Sequence, residues 1–278
     1  MSIHQTFNYG RSNITSAPES YPLLNPTVLF TSGQRGFWYE ANDSTTLWQD
    51  SSQTIQVDST TQNVNAWSDK SGNNFDVTSR VLNSGSVGLI YEIDGDGKDC
   101  INFDKGYIQY DGGLNSWTNS GQTAITMFFA VQPTSTETRG LFRATPRAFS
   151  YVDLSLYSEY TTGPQVFYDN IGDTVRVDDS NSIANVKSVI TVTWRYDLPN
   201  PIKVWRINGV DKLPTATVTG TNATNATFNQ STIRIGGSMT SSYYKGLYYG
   251  AVGVVGELDI ATISGIEQYM AQIIGITL

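Results

Sequence analysis

Apolar and polar residues alternate along most of this chain. In residues 125–131 every odd-numbered residue is large and apolar, and in residues 188–196 every even-numbered residue from Ile190 onward is apolar or aromatic. A period of two is typical of a β-strand with one buried face. Residues 202–207 run into Asn208-Gly209, the preferred pair for a tight hairpin. Many short strands with no helices between them predict an all-β antiparallel sandwich.

Two segments depart from the strand pattern. Near the C-terminus, Ile263, Ile266 and Met270 recur at helical spacing, with Asp259 as an N-cap before them and Gly275 as a stop after them. We expect one short C-terminal helix there, packed at the rim of the sandwich. Residues 1–35 keep no period, so we predict an extended N-terminal arm followed by one β domain over residues 36–278.

The arm leaves alternatives open. It either frays as many termini do, or is held by its own domain or by a neighbouring chain. Of these we expect contact with a neighbouring chain, and hence a homo-oligomer or another assembly partner.

Composition narrows the function. The 17 basic and 25 acidic residues give a net charge of −8, which argues against nucleic acid and anionic membranes as partners. The single histidine, His4, and the single cysteine, Cys100, argue against histidine-dependent catalysis and exclude an intrachain disulfide. The first residues lack the features of a secretory signal, which predicts synthesis in the cytoplasm.

One acidic stretch is a candidate metal site. Asp94, Asp96 and Asp99 alternate with glycines that let the backbone curl, so their oxygens are able to converge on a hard cation such as calcium. An EF-hand would have glutamate where Lys105 stands. The alternative is a polar turn without an ion, and we expect no cofactor unless calcium binds here.

Three aromatic residues in polar surroundings are candidates for sugar binding. Trp117 lies in a turn-rich segment, and Tyr243 and Tyr244 lie in a Ser- and Thr-rich one. A flat exposed ring stacks on the apolar face of a sugar ring. The alternative for each is a place in the core or in a subunit interface.

One short segment bears on hydrolysis. Glu257-Leu-Asp259 resembles the paired-carboxylate strand of laminarinase-like glycoside hydrolases, but Thr262 replaces that pattern's second glutamate. Retaining hydrolysis needs two carboxyl groups about 5 Å apart. We therefore rank a glycoside hydrolase third among the possible functions.

Several motifs resemble those of a known family and follow one another in the same order along the chain. Residues 36–50, GFWYEANDSTTLWQD, resemble a segment common in tailed-bacteriophage structural proteins, where stretches like residues 67–74 and 100–106 usually follow. The later order is similar to a laminin-G-like, concanavalin A-like jelly roll, with residues 124–133 as its central strand and residues 204–210 as its Asn-Gly hairpin. The likeness covers about residues 36–278 and departs at residues 40–42, where Asp-Pro-Ser is usual.

This resemblance implies a function. It implies a non-enzymatic virion structural protein, located in the virion and anchored through its arm to other virion proteins, with capsid decoration favoured over a tail or fibre position. It supplies no catalytic residues. The alternative is a lectin-like module that recognises carbohydrate on a host surface. The sequence does not identify the host, the sugar or the oligomeric state.

Overall fold

A computed structural model describes the chain at residues 21–81, 88–104, 106–110, 123–137, 139–146, 153–160, 163–170, 173–195, 197–213, 217–219, 231–237 and 243–278. Within these ranges the protein consists of two antiparallel β-sheets and one α-helix, α1 (Ile260–Ile274). Short 3₁₀ turns at Pro26–Leu29 and Ser44–Thr46 precede the first strands.

In the described residues sheet A has eight strands: β1 (Gly36–Glu40), β5 (Ile90–Ile93), β6 (Asp99–Asp104), β8 (Ala124–Pro133), β13 (Ser188–Arg195), β14 (Ile202–Ile207), β15 (Val210–Asp211) and β18 (Lys245–Val255). Their spatial order is β15-β14-β13-β8-β18-β6-β5, and β1 also pairs with β18. The long strand β18, near the C-terminal end, pairs with both β1 and β8.

Sheet B has ten strands within the part of the chain that the structure describes: β2 (Leu47–Trp48), β3 (Ala66–Trp67), β4 (Val77–Val81), β7 (Gly106–Tyr110), β9 (Arg139–Pro146), β10 (Asp153–Tyr160), β11 (Gly163–Asn170), β12 (Asp173–Asp178), β16 (Thr217–Thr219) and β17 (Ser231–Ile235). Their spatial order is β16-β12-β11-β10-β9-β17-β7-β4-β3-β2. The predicted all-β, concanavalin A-like jelly-roll sandwich with one C-terminal helix is confirmed.

The two sheets enclose the main core. Ile125, Met127, Phe129 and Val131 of β8 all lie in it, as the alternation predicted. Residues 190, 192 and 194 of β13 join them, and Trp205 packs from β14. The predicted hairpin forms at Asn208-Gly209, with φ of 50° and 74°. Positive φ at both turn positions is what this residue pair permits.

The helix also has the predicted ends. The side chain of Asp259 accepts a hydrogen bond from the backbone nitrogen of Thr262 at 2.9 Å, and Gly275 ends the helix with φ of 76°. The helix lies on the outer face of sheet A and not at the rim of the sandwich. Even-numbered residues of β8, Phe128 and Ala130, are apolar too, so this face needs a cover, and Ile266 and its helical neighbours provide it.

The described part of the arm, residues 21–35, packs on this same chain. The backbone nitrogen of Leu24 donates to the carbonyl of Gly265 at 3.0 Å, and Gln34 donates to the carbonyl of Val255 at 2.6 Å. Gly265 has no space for a Cβ, which would lie 2.5 Å from Cγ of Leu24. This part of the arm is therefore held by its own domain. Residues 1–20 lie outside the described residues, and the division at residue 35 stays a prediction.

No helix in the described ranges is long and apolar enough to span a bilayer.

Candidate functional site

Residues 94–98 of the acidic stretch form the turn between β5 and β6, and Asp99 is the first residue of β6. Oδ1 of Asp94 accepts hydrogen bonds from the backbone nitrogens of Asp96 at 2.8 Å and Lys98 at 2.9 Å. Gly97, with φ of 77°, supplies the left-handed residue that the turn requires. The carboxylate of Asp94 thus holds its own turn in shape.

A lysine from a distant loop completes this turn. Nζ of Lys187 lies 2.6 Å from Oδ2 of Asp94 and 2.7 Å from Oδ2 of Asp96. The hydroxyl of Tyr249 donates to the same Oδ2 of Asp94 at 2.7 Å. Asp94 and Lys187 are largely buried, with side-chain exposures of 3% and 12%.

Buried groups of opposite charge perturb each other's titration. Burial alone would raise the pKa of Asp94, but hydrogen bonds from Lys187, the Lys98 backbone and Tyr249 outweigh it and lower the pKa to about 2. Burial alone would lower the pKa of Lys187, and its two carboxylate partners raise it instead. Both side chains therefore stay charged across the ordinary pH range.

Beside this ion pair lies a cavity of about 430 Å³. We call it the sheet A pocket; it is lined by Asp94, Gly95, Asp96, Gln132, Asn185, Lys187 and Leu247. It lies on the outer face of sheet A next to the helix, because Leu247 and Tyr249 belong to the helix-side core while Tyr248 between them belongs to the main core. The volume falls within the range of about 300–1,000 Å³ that is usual for small-molecule sites.

The predicted calcium ligands do not converge. Asp94 and Asp96 share Lys187, whereas Oδ1 of Asp99 accepts from the hydroxyl of Tyr91 at 2.5 Å. Among the residues that the structure describes, no group of three acidic, histidine or cysteine side chains is placed to hold a metal ion. The ammonium of Lys187 takes the position that a cation would need at Asp94 and Asp96.

The two predicted tyrosines are separated by the sheet. The backbone of Tyr243 bridges Gly140 and Gly237, and the backbone nitrogen of Tyr244 donates to the carbonyl of Gly236 at 2.8 Å. Successive residues of extended chain point to opposite faces. Tyr244 is therefore fully buried in the main core, where its hydroxyl donates to the carbonyl of Leu247 at 3.0 Å, and its ring is not available to a sugar.

Tyr243 lies on the outer face of sheet B. Its ring is parallel to that of Tyr107, with the centroids 6.2 Å apart and an interplanar angle of 4°. The guanidinium of Arg234 lies 5.0 Å from the centre of the Tyr107 ring, and its Nε donates to Gln109 at 2.9 Å. We call Tyr107, Gln109, Arg234 and Tyr243 the sheet B platform. Trp117, the third predicted aromatic residue, lies outside the described residues.

The suspected hydrolase segment serves structural contacts. Glu257 binds Nη1 of Arg195 at 2.6 Å, and Asp259 caps the helix through Thr262. Each of these carboxylates therefore has a protein partner.

Most of the residues that line the sheet A pocket were not predicted from the sequence. Gln132, Asn185, Lys187 and Leu247 come from the end of β8, a loop before β13 and strand β18. None of them stands in a motif. Only the pairing of these strands brings them to the acidic turn.

Solved structures that share this fold include several carbohydrate-active proteins. Domain 4 of AbnA, a GH43 extracellular arabinanase from Geobacillus stearothermophilus, in complex with arabinotriose, is 16% identical with a TM-score of 0.57 over 84% of this chain and 100% of that one. A GH54 a-l-arabinofuranosidase is 14% identical with a TM-score of 0.57 over 90% of this chain and 65% of that one. A mutant of Trypanosoma rangeli sialidase displaying trans-sialidase activity is 13% identical with a TM-score of 0.50 over 93% of this chain and 37% of that one.

These likenesses show the fold alone, because the identities are low. This chain spans the whole of the arabinanase domain but less than two thirds of the other two proteins. No protein-family model and no curated protein sequence matches the chain.

The comparisons correct two expectations. The expected function as a bacteriophage virion structural protein is wrong, because these structural neighbours are arabinan-, arabinoside- and sialoside-active proteins. The expectation that the chain is not an enzyme is corrected as well, because glycoside hydrolases are among the proteins with this fold, so the fold is compatible with hydrolysis. Homo-oligomerisation and binding to a host surface stay predictions.

Proposed function

We propose that this protein is a carbohydrate-binding module and that a neutral sugar unit binds in the sheet A pocket. The observation that carries this proposal is the mixture of donors and acceptors left free around the cavity. Within the described residues the side-chain amide of Asn185 makes no hydrogen bond, and Lys187 uses two of its three N–H groups. Oδ1 of Asp96, on an exposed side chain, also has no partner among these residues.

The mixture selects a class of ligand. An anion needs donors only, and a cation needs acceptors only. A sugar hydroxyl is both, since it donates one hydrogen bond and accepts two. Leu247 adds an apolar patch inside the cavity for the C–H face of the ring. The arabinanase domain with the same fold, which was determined with arabinotriose, also supports a saccharide as the ligand.

The same geometry favours binding over hydrolysis at this pocket. Asp94 and Asp96 both contact Lys187, so two carboxylates stand close together. Retaining hydrolases need one carboxyl with a raised pKa to protonate the leaving oxygen. The pKa of Asp94 is instead lowered to about 2, so this side chain is not placed to act as that acid.

The test measures binding of arabinotriose and of a neutral glycan array, followed by calorimetry on each saccharide bound. Asn185→Asp keeps the shape and tolerates the φ of 61° at this position, but it replaces two donors by acceptors. We expect at least tenfold weaker binding, about 1.4 kcal/mol. The matched control is Asn74→Asp, an exposed asparagine with φ of 59°, which should bind within twofold of the unchanged protein.

Two results would contradict the proposal. One is the absence of binding to every neutral saccharide on the array, and the other is equal affinity in Asn185→Asp. Incubating each bound saccharide and counting new reducing ends tests hydrolysis directly. Release of product by the unchanged protein and its loss in Asp96→Asn would replace a binding module by a hydrolase.

A further inference from the structure

Sheet B carries a row of polar side chains across five neighbouring strands. The backbone register places in this row Thr78, Gln109, Arg234, Arg143 and Ser155. Their neighbours Ile108, Phe142 and Ile235 lie in the main core, so the row faces away from it. Arg143 and Ser155 are largely buried, so the exposed part of the row is Thr78, Gln109 and Arg234, over about 10 Å at about 4.8 Å per strand.

Two arginines stand directly opposite each other in this row. Arg234 pairs with Arg143 across β17 and β9, and the side chain of Arg143 is largely buried. Like charges directly opposite each other destabilise a sheet. The two side chains place positive charge on this part of sheet B, in a chain whose net charge is −8.

Arg234 differs from other arginines of the described chain. Arg176, Arg195 and Arg206 each bind a carboxylate, at 2.7 to 2.9 Å. Nε of Arg234 donates a hydrogen bond to Gln109, and its guanidinium packs on the ring of Tyr107. Within the described ranges Arg234 makes no ion pair. Its two terminal nitrogens thus offer donors only, in the fork that matches a carboxylate.

An apolar ring lies beside this fork. Tyr107 is nearly buried beneath its neighbours, and the half-exposed Tyr243 presents the outer ring of the parallel pair. A sugar ring packed on Tyr243 would bring a substituent toward Arg234. The platform therefore combines a stacking surface with a positive charge, whereas the sheet A pocket combines neutral donors and acceptors.

We infer that the sheet B platform binds a sugar that carries a carboxylate, such as a uronic acid unit, with the carboxylate on Arg234 and the ring on Tyr243. This inference rests on the proposed carbohydrate-binding function and adds a second subsite. Because the sheet A pocket and the platform lie on the outer faces of different sheets, one chain binds two saccharides independently.

The probes are trigalacturonate, its methyl ester, which is the neutral counterpart, and inorganic sulfate. By calorimetry we expect trigalacturonate to bind the unchanged protein at least tenfold more tightly than the ester. Arg234→Met keeps an apolar stem over Tyr107 and should lose that preference, while Arg234→Lys keeps the charge without the fork and should lose part of it. Arg176→Met removes a charge from the same face that Asp178 already balances, and should bind within twofold of the unchanged protein.

Equal binding of the acid and the ester would overturn the inference, and so would unchanged binding of the acid in Arg234→Met. Millimolar sulfate that competes as completely as the acid would also overturn it, because the site would then bind any simple anion. Thermal melts establish that each variant is folded, and Tyr243→Leu supplies a second variant at the ring. Asn185→Asp separates the two proposals. If this variant loses neutral-sugar binding and still binds trigalacturonate, both proposals are supported. If it still binds the neutral sugar, the proposal for the sheet A pocket is wrong and the one for the sheet B platform stands.

Discussion

The outer faces of the two sheets differ in what covers them and in the polarity of their side chains. On sheet A a helix packs over a largely apolar face, and the polar pocket lies beside the helix. On sheet B the described face carries a row of polar and charged residues with a tyrosine pair beside it. One fold thus provides a polar pocket on the outer face of one sheet and a platform of aromatic and charged side chains on the outer face of the other.

The largest expected effect concerns the covered face. Ile266→Ala removes a fully buried side chain from the layer between α1 and sheet A, and should lower the free energy of unfolding by about 2–4 kcal/mol. Gln109→Ala, in the polar row of sheet B, should cost less than about 1 kcal/mol. Urea denaturation of the two variants measures the difference, and equal costs would contradict this contrast between the faces.

A smaller effect is expected at the ion pair of the pocket. Lys187→Met leaves the buried Asp94 with fewer partners and should cost about 2 kcal/mol of unfolding free energy. Asp94→Asn combined with it should cost less than the sum of the single changes, because the two residues interact. The control is Lys245→Met, whose contact with Asp104 is 3.9 Å and exposed, and which should change stability by less than about 0.5 kcal/mol. Additive costs at Asp94 and Lys187 would mean that the pair is not coupled.

The smallest expected effect is a pH dependence. The pKa of Asp94 is about 2 in the folded protein and near 3.8 in the unfolded chain, so its contribution to stability is present above about pH 4 and lost as the pH falls toward 2. After screening by solvent we expect a loss of about 1 kcal/mol between pH 5 and pH 2 that is absent in Asp94→Asn. Unfolding free energies of both proteins across that range measure it, and parallel curves would show that Asp94 has no special role.

Local signals explain why much of the fold was predictable. Asp259 and Gly275 mark the helix ends within their own neighbourhood, and Asn208-Gly209 marks its hairpin. The alternation in β8 revealed its inward face. The place of the helix was missed because the apolar even-numbered residues Phe128 and Ala130 also needed a cover.

The candidate sites depend on contacts that no local pattern records. Asp94 was singled out, but its partner Lys187 stands 93 positions later and carries no motif. Tyr243 and Tyr244 look equivalent in sequence, and only the strand register buries one and leaves the other on the surface. The virion expectation came from the order of motifs that carry no chemistry, so it had no physical basis in a binding site.

The contact between Lys187 and the β5–β6 turn has a thermodynamic consequence. The ammonium of Lys187 fastens the loop before β13 to that turn, so the fold itself holds these two walls of the pocket together and less conformational entropy is lost when a sugar binds. We therefore expect the pocket to distinguish sugar epimers by how well each fits the spacing of these walls, and not by rearrangement of the loops around the sugar.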